Sequence, residues 1–365
     1  MSSETANYEQ GTTRYTMAIG RIISGQSLNE VEESFNVSLR PKFLNECVGQ
    51  CSVKEKLSIA IAAAKQRSEP LEHILFYGPP GLGKTTLANV VANEMGARLR
   101  SSSGPALVKA GDVMGLLSNI NTGDVLFIDE IHRLSTPVEE FIYPAMEEFR
   151  VDFTVDSGLH AKTINFPLKR FTLIGATTRA GLLSAPLRGR FGMLYHLVFY
   201  TAEELTAILE RSAGLLQLQY EDGTLELIAG RSRGAPRVAN RLLKRVRDYA
   251  QVKGSGVLSA EIVERALAME QIDSLGLDEP DRAFLRALAG VYDGGPAGID
   301  ALAATLGEER DTLEDVVEPY LLQIGFLRRT KRGREITRAA CEHLGLKLQR
   351  KKRDSKQPEL FEQDK

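Results

Sequence analysis

The motif GPPGLGKT at residues 78–85 has the spacing G-x-x-x-x-G-K-[ST]. It follows an apolar strand pattern, HILFYG, and opens a helical pattern, TTLANVVANEMG. Gly81 and Gly83 let backbone N–H groups surround phosphate oxygens, and the helix N-terminus adds positive potential. Lys84 then reaches the β and γ phosphates, and the Thr85 hydroxyl completes a Mg²⁺ shell. A chance glycine-rich turn lacks this context, so the sequence predicts a site for ATP and Mg²⁺.

A second apolar strand pattern, VLFID, ends in two acids, Asp129 and Glu130. We predict that Asp129 holds Mg²⁺ through water and that Glu130 polarises the water that attacks the γ phosphate. The two acids could instead cap the next helix, but the glycine-rich loop upstream favours the catalytic interpretation. The second acid indicates a hydrolysing ATPase rather than a small-molecule kinase.

Further side chains are candidates for contacts with the triphosphate. The strand pattern IGATT ends in the hydroxyls of Thr177 and Thr178, which are suited to hold the attacking water, with Thr177 the predicted catalytic residue, although threonine is common at strand ends. Arg190, in LRGRFG, could stabilise transition-state charge on a neighbouring subunit's nucleotide. Arg237 follows Pro236, a residue favoured at helix starts, and is predicted to sense the phosphates of its own chain. His132 has no partner at metal-ligand spacing, so we predict a helix-start hydrogen bond for it.

Composition restricts the class of protein. The 365 residues carry 46 Lys and Arg against 48 Asp and Glu, a net charge of -2, with 43% hydrophobic residues. There is no apolar run of about 18 residues and no secretory pattern at the N-terminus, which excludes a membrane span and predicts a cytoplasmic protein. Three cysteines fit reduced thiols. Between Arg328 and Arg353, 11 Lys or Arg residues face only two acids, a charge pattern typical of a nucleic-acid contact.

The candidate residues of the ATP site are far apart in the sequence, so the predicted strands and helices have to bring them together. Apolar strands alternate with helices up to about residue 200, which predicts an α/β fold with a parallel sheet covered by helices on both faces. Residues 150–166 alternate apolar and polar side chains and predict a β-hairpin. We predict a mobile extension at 1–35, an ATPase domain at 36–200, a small helical lid at 201–272, a winged-helix domain at 273–346 and a disordered basic tail at 347–365.

Over about residues 36–346 the chain resembles the AAA+ ATPases, and among them the RuvB family of bacterial branch-migration motors. The stretches that carry the resemblance, beside the glycine-rich loop, are LRPKFLNECVGQ, GDVLFIDEIHRLSTPVEEFIYPAMEE, FTLIGATTRAGLLSAPLRGRFG, GAPRVANRLLKRVRDYA and LGEERDTLEDVVEPYLLQIGFLRRT. They span all three predicted domains, which is far more specific than a glycine-rich loop alone.

The resemblance implies a set of nucleotide contacts. These are Leu39 and Arg40 on the adenine side, Gly81, Lys84, Thr85 and Thr86 at the phosphates and Mg²⁺, and Glu147, Glu148, Phe149, Tyr200 and Arg237. It also implies that Arg190 is an arginine finger, a residue that reaches the nucleotide of the adjacent subunit. The family usually carries an acid between the two arginines, where this chain has Gly189, so Arg188 stays open as the alternative finger.

The resemblance also implies partners. They are duplex DNA and Holliday junctions, contacted by Arg310, Arg329 and Arg334 of the winged helix, and RuvA, RuvC and five further copies in a homo-hexameric ring. RuvA would contact the hairpin through Val155, Leu159 and Ile164. Arginines on phosphates bind without reading base sequence, which suits a protein that moves along DNA.

The predicted function is ATP-driven branch migration of Holliday junctions in recombination and repair. One alternative is an initiator-like AAA+ protein that binds ATP and marks or melts a DNA site without moving. A second is a clamp-loader-like factor that assembles a protein ring. The predicted DNA-binding wing argues against the second alternative.

Overall fold

The computed structural model describes residues 38–155 and 162–346. The described chain divides between Leu277 and Asp278 into two compact units. The predicted N-terminal extension, the basic tail and Leu159 lie outside the described residues. No helix in the two described ranges combines the length and the apolar character that a bilayer crossing needs.

A parallel sheet with the strand order β2-β3-β6-β1-β7 forms the centre of the first unit. The strands are β1 Ile74–Tyr77, β2 Leu99–Ser103, β3 Val125–Asp129, β6 Thr172–Thr177 and β7 Met193–His196. The sequence predicted the three central strands, which are almost wholly buried. It missed β2 and β7, because edge strands need no apolar run and β2, LRSSS, is mostly polar.

Helices cover both faces of this sheet, as the fold prediction required. They are α1 Cys51–Arg67, α2 Lys84–Met95, α3 Ala110–Leu117, α4 Thr136–Glu147 and α5 Ala185–Gly189. Alternate residues of β1 enter different cores: Ile74 and Phe76 pack in a cluster with α1 and α2, and Leu75 packs in a cluster with α3 and α4. The period-two alternation of a strand therefore builds two hydrophobic layers from one short sequence.

The predicted hairpin is present as two antiparallel strands, β4 Arg150–Val155 and β5 Lys162–Pro167. Val155 pairs with Lys162, and Ile164 pairs with Phe153. The hairpin forms its own two-stranded sheet, separate from the central one.

The second part of the first unit is helical, with α6 Ala202–Leu215, α7 Thr224–Gly230, α8 Pro236–Lys253 and α9 Ala260–Met269. A capping box between Thr201 and Glu204 starts α6, and the Ser259 hydroxyl caps α9. Buried residues of α6 and α8, such as Leu205 and Leu242, belong to the same hydrophobic cluster as α1 and α2. The lid and the sheet therefore share one core.

The second unit contains helices and a two-stranded hairpin. Its elements are α10 Glu279–Gly290, α11 Ile299–Leu306, α12 Arg310–Gln323, β8 Leu327–Thr330, β9 Gly333–Ile336 and α13 Arg338–His343. A π-helical turn, Leu313–Val317, interrupts α12. Lys331 and Arg332 form the turn of the hairpin. This arrangement of helices followed by a hairpin confirms the predicted winged helix.

Candidate active site and DNA-contact surface

The glycine-rich loop joins β1 to α2 in a conformation that only glycine tolerates well. Gly78, Gly81 and Gly83 have φ values of 140°, 79° and 95°. A Cβ atom on Gly78 would collide with the carbonyl oxygen of Leu197. The loop therefore keeps open a cradle of backbone groups at the N-terminus of a 12-residue helix, and this cradle fits the phosphates of a nucleotide.

Lys84 lies at the first position of α2 and is buried, with 7% of its surface exposed. Its Nζ donates hydrogen bonds to the carbonyl oxygens of Gly78, at 2.8 Å, and Pro79, at 2.9 Å. The ammonium is thus held over the loop that wraps the phosphates. Thr86, two residues along α2, lies beside Gly83.

A hydroxyl and a carboxylate meet beside the loop and fit a Mg²⁺ ion. Thr85 Oγ1 lies 3.4 Å from Asp129 Oδ2, and Asp129 Oδ1 accepts a 2.9 Å hydrogen bond from the backbone N–H of Glu130. Oxygen donors of this kind are those Mg²⁺ prefers, with phosphate and water completing its octahedron. Thr85 and Asp129 would hold the ion.

Glu130 lies at the centre of a small polar network at the carboxyl ends of β3 and β6. Its Oε2 lies 3.3 Å from His132 Nδ1 and accepts a 3.4 Å hydrogen bond from the Thr178 hydroxyl. The backbone of Glu130 is left-handed, with φ 49°, and its carbonyl leaves no room for a Cβ on Gly104. The contacts with His132 and Thr178 hold the carboxylate.

The structure places Thr177 and Thr178 differently. Thr177 is fully buried, and its hydroxyl accepts from the Arg179 backbone N–H at 3.0 Å and lies 2.9 Å from His132 Nδ1. Thr178 is the hydroxyl that reaches Glu130. Sequence reasoning named both hydroxyls and selected Thr177, but one residue of strand register decides which hydroxyl faces the acid. It did not predict the side-chain contacts of His132 with Glu130 and Thr177.

The lid reaches the loop through the start of α8. The backbone N–H of Arg237 donates to the carbonyl oxygen of Gly81 at 3.4 Å. The hydroxyl of Tyr200 donates to the carbonyl oxygen of Leu82, also at 3.4 Å, and burial raises the pKa of this tyrosine. Arg237 and Tyr200 therefore lie against the phosphate loop, and their contact with a nucleotide stays a prediction.

The segment that begins with Leu39 and Arg40 is tied to the lid. Arg211 of α6 donates to the carbonyl oxygen of Leu39 at 2.7 Å and pairs with Glu46 at 3.1 Å. Leu39 is buried and Arg40 is half-buried. Arg211 was not predicted from the sequence, because an arginine on a helical face gives no signal of such a contact.

Arg190 and residues 147–149 form a second group. Arg190 Nη2 pairs with Glu147 Oε2 at 3.2 Å, and Glu148 pairs with Arg150 at 2.8 Å. Phe149 has a left-handed φ of 52°. Gly189 lies outside the left-handed region, and a Cβ there would meet nothing within 4 Å. The backbone at position 189 therefore does not require glycine, and a larger side chain would fit there.

Three arginines of the second unit lie against acids. Arg329 and Arg334 face each other across the hairpin and both contact Glu318, which is fully buried. Arg310 of α12 pairs with Glu314 at 3.4 Å, and Arg334 pairs with the same carboxylate at 3.1 Å. The three predicted DNA-contacting residues are thus joined by two glutamates, neither of which the sequence singled out.

Known protein families match almost the whole of the described chain. Residues 39–197 match the family of the Holliday junction DNA helicase RuvB P-loop domain, residues 200–273 the RuvB AAA lid domain and residues 274–345 the RuvB C-terminal winged helix domain. The Holliday junction branch migration complex subunit RuvB of Ligilactobacillus salivarius is 54% identical over 327 residues, 90% of this chain and 97% of the relative.

Solved structures agree with this match. The RuvB Holliday junction branch migration motor of Thermotoga maritima has a TM-score of 0.79 and 50% identity, and the similarity covers 85% of this chain and 99% of that one. A substituted form of the same Thermotoga protein gives a TM-score of 0.80 over the same shares. The chain therefore belongs to the RuvB family of AAA+ ATPases.

Proposed function

We propose that this protein drives branch migration of Holliday junctions with energy from ATP hydrolysis, as a homo-hexameric ring on duplex DNA. The observation that carries the proposal is the convergence of Lys84, Thr85, Asp129, Glu130 and Thr178 at one edge of a parallel sheet, in a chain that also bears an arginine-rich hairpin. An initiator-like AAA+ protein would have the same ATPase site. Movement along DNA is therefore the property that distinguishes the two functions.

Each residue of the site has a chemical part in hydrolysis. The loop amides and Lys84 bind the phosphates, and Thr85 and Asp129 hold Mg²⁺. When bound, this ion withdraws charge from the phosphate oxygens. Glu130 accepts a proton from the attacking water, and the hydroxyl of Thr178 keeps the carboxylate of Glu130 in place.

The group around Arg190 serves a neighbouring subunit in this proposal. Arg190 supplies positive charge to the neighbour's γ phosphate. Residues 147–149 lie beside Arg190 and would contact the same nucleotide of the neighbour. A catalytic site that is complete only between copies requires an oligomer, and a closed ring around DNA satisfies every site. Closure of the lid through Arg237 and Tyr200 then links hydrolysis to movement.

Partners follow from the same proposal. Arg310, Arg329 and Arg334 contact DNA phosphates, and the β4–β5 hairpin, with Val155 and Ile164, binds RuvA. Leu159, the predicted centre of that contact, lies outside the described residues. RuvC would act on the junction that the motor moves. A DNA substrate and three free cysteines, Cys47, Cys51 and Cys341, favour the cytoplasm.

A four-way-junction assay with ATP, with and without RuvA, tests the proposal. We expect junctions to be converted to duplex products only with ATP, faster with RuvA, and not with the Lys84→Gln variant. Lys253→Gln, which removes an equal charge from an exposed position at the end of α8, is the matched control and should retain activity. Binding or melting without migration would favour the initiator-like alternative, and ATP-dependent opening of a protein ring would favour the clamp-loader-like one.

A further inference from the structure

Helix α4 carries three polar residues at a spacing of four, Glu139, Tyr143 and Glu147. Residues four apart lie on the same face of a helix, one turn above the other. We call this face the α4 stripe. Every member of the stripe contacts α5 or the residues at its ends, where Arg190 lies.

The first two members of the stripe hold the start of α5. Ser184 donates to Glu139 Oε2 at 2.6 Å, and the hydroxyl of Tyr143 donates to the same oxygen at 2.9 Å and lies 3.2 Å from Ser184 Oγ. Ser184 is the N-cap of α5 and accepts from the backbone N–H of Leu187. Glu139 is buried. The stripe therefore fixes the beginning of the short helix that Arg190 directly follows.

The ring of Tyr143 also lies under the guanidinium of Arg190. The distance from Arg190 Cζ to the ring centroid is 4.1 Å, well within the range of a cation–π contact. Arg190 Nη1 donates to the carbonyl oxygen of Pro186 at 2.9 Å, and Nη2 pairs with Glu147. Only 22% of the arginine side chain is exposed. A long side chain that is otherwise free in solution is thus held in one orientation.

We infer that Tyr143 is a positioning residue for the arginine finger: its ring fixes the plane of the Arg190 guanidinium, and its hydroxyl fixes α5 through Glu139 and Ser184. This inference rests on the proposed function of Arg190 toward a neighbour's triphosphate. A contact through the ring face uses none of the in-plane N–H donors of the guanidinium, so the ring does not compete with phosphate for them. The ion pair with Glu147, which is half-exposed, can exchange for phosphate, whereas the neutral ring stays in place.

Mixed rings test the inference, because the finger acts on a different subunit from its own. Glu130→Gln subunits can offer a finger but cannot hydrolyse ATP, and full-length Arg190→Ala subunits can hydrolyse but offer no finger. We expect each variant alone to be inactive and the mixture to regain ATPase activity. Tyr143→Leu added to the Glu130→Gln subunit should reduce this recovered kcat about tenfold, with the KM for ATP unchanged.

The reverse placement is the control. Tyr143→Leu added to the Arg190→Ala subunit should leave the recovered activity unchanged, because that subunit receives a finger and gives none. Tyr143→Phe, which keeps the ring and removes the hydroxyl, should give a smaller loss than Tyr143→Leu. Thermal unfolding of each variant shows whether the fold is retained.

The possible failures are distinct. If the first mixture shows no recovery, the proposed action of Arg190 on a neighbour is wrong. If recovery occurs and Tyr143→Leu has the same effect in either subunit, or none, then the role of Tyr143 as a positioning residue is overturned while the proposed function stands.

Discussion

The guanidinium of Arg329, on a half-exposed side chain, donates through Nε to the fully buried carboxylate of Glu318 at 2.8 Å. A buried carboxylate needs such partners, because an isolated charge in a low-dielectric interior is costly. Arg334 Nε contacts the other oxygen of Glu318 at 2.6 Å. The two arginines are thus fixed on neighbouring strands by one acid, with part of Arg329 left open to solvent.

Removing the exposed arginine should weaken DNA binding without changing its independence of sequence. We expect Arg329→Ala to lower duplex affinity about tenfold and to reduce the slope of log K against log salt by about 1. Fluorescence anisotropy at several salt concentrations measures both. Arg286→Ala, which removes an exposed arginine from α10, is the control and should change neither. An unchanged salt slope for Arg329→Ala would show that Arg329 does not contact DNA phosphates.

Neutralising the acid should destabilise the second unit. Glu318→Gln leaves two arginines without their buried counter-charge, and breaking a buried ion pair costs about 3 kcal/mol, less here because Arg329 is half-exposed. Calorimetry of the full-length protein should show a lower transition temperature for Glu318→Gln. Glu342→Gln breaks a pair of exposed side chains, Arg338 and Glu342, and should change stability by under about 0.5 kcal/mol. Equal transition temperatures for the two variants would contradict this account.

The side chain of His132 bridges the carboxyl ends of β3 and β6, where Glu130 and Thr177 lie. Its side chain is 3% exposed and lies within 3.3 Å of both Glu130 and Thr177. We expect His132→Leu to lower the ATPase kcat about tenfold, because Glu130 loses a fixed neighbour, while the affinity for ATP stays within about twofold. Nucleotide binding and steady-state hydrolysis separate the two effects. His343→Gln, in the second unit, is the control; a large loss of ATP affinity in His132→Leu would indicate a collapsed site instead.

Much of the site could be predicted because its signals are local. The glycine-rich loop, the two acids after β3 and the proline at the start of α8 each fix their position relative to a strand or helix end within a few residues. The contacts of Glu318, Arg211 and Tyr143 with other elements were not predictable, because only the folded chain brings those elements together. The sequence shows such residues only as ordinary polar positions on a helix.

Buried His73 should make the stability of the first unit depend on pH. Its Nε2 donates to the carbonyl oxygen of Met146 at 2.9 Å and its Nδ1 accepts from the backbone N–H of Leu173 at 2.8 Å, so the ring is neutral. Burial lowers the pKa of His73 below 6.5. Because the unfolded chain takes up this proton first, the free energy of unfolding should fall as pH decreases below 6.5. Urea unfolding of the wild type and of His73→Gln from pH 7.5 to 5 measures the difference, and an equal pH dependence in both would contradict the assignment.

The two arginines beside Gly189 should differ sharply in their effect on hydrolysis. Arg190 is held by Tyr143 and Glu147, whereas Arg188 is exposed at the other side of a glycine with no conformational constraint. Only a guanidinium with a fixed orientation is ready to meet a phosphate in the next subunit. We therefore expect Arg190→Ala to lower the ATPase kcat about 10³-fold, and Arg188→Ala to lower it less than about threefold. Steady-state hydrolysis at a protein concentration that sustains assembly measures both, with sedimentation to confirm that the oligomer persists. If Arg188→Ala gave the larger loss, the finger would be Arg188, and the contacts of Arg190 with α4 would be structural only.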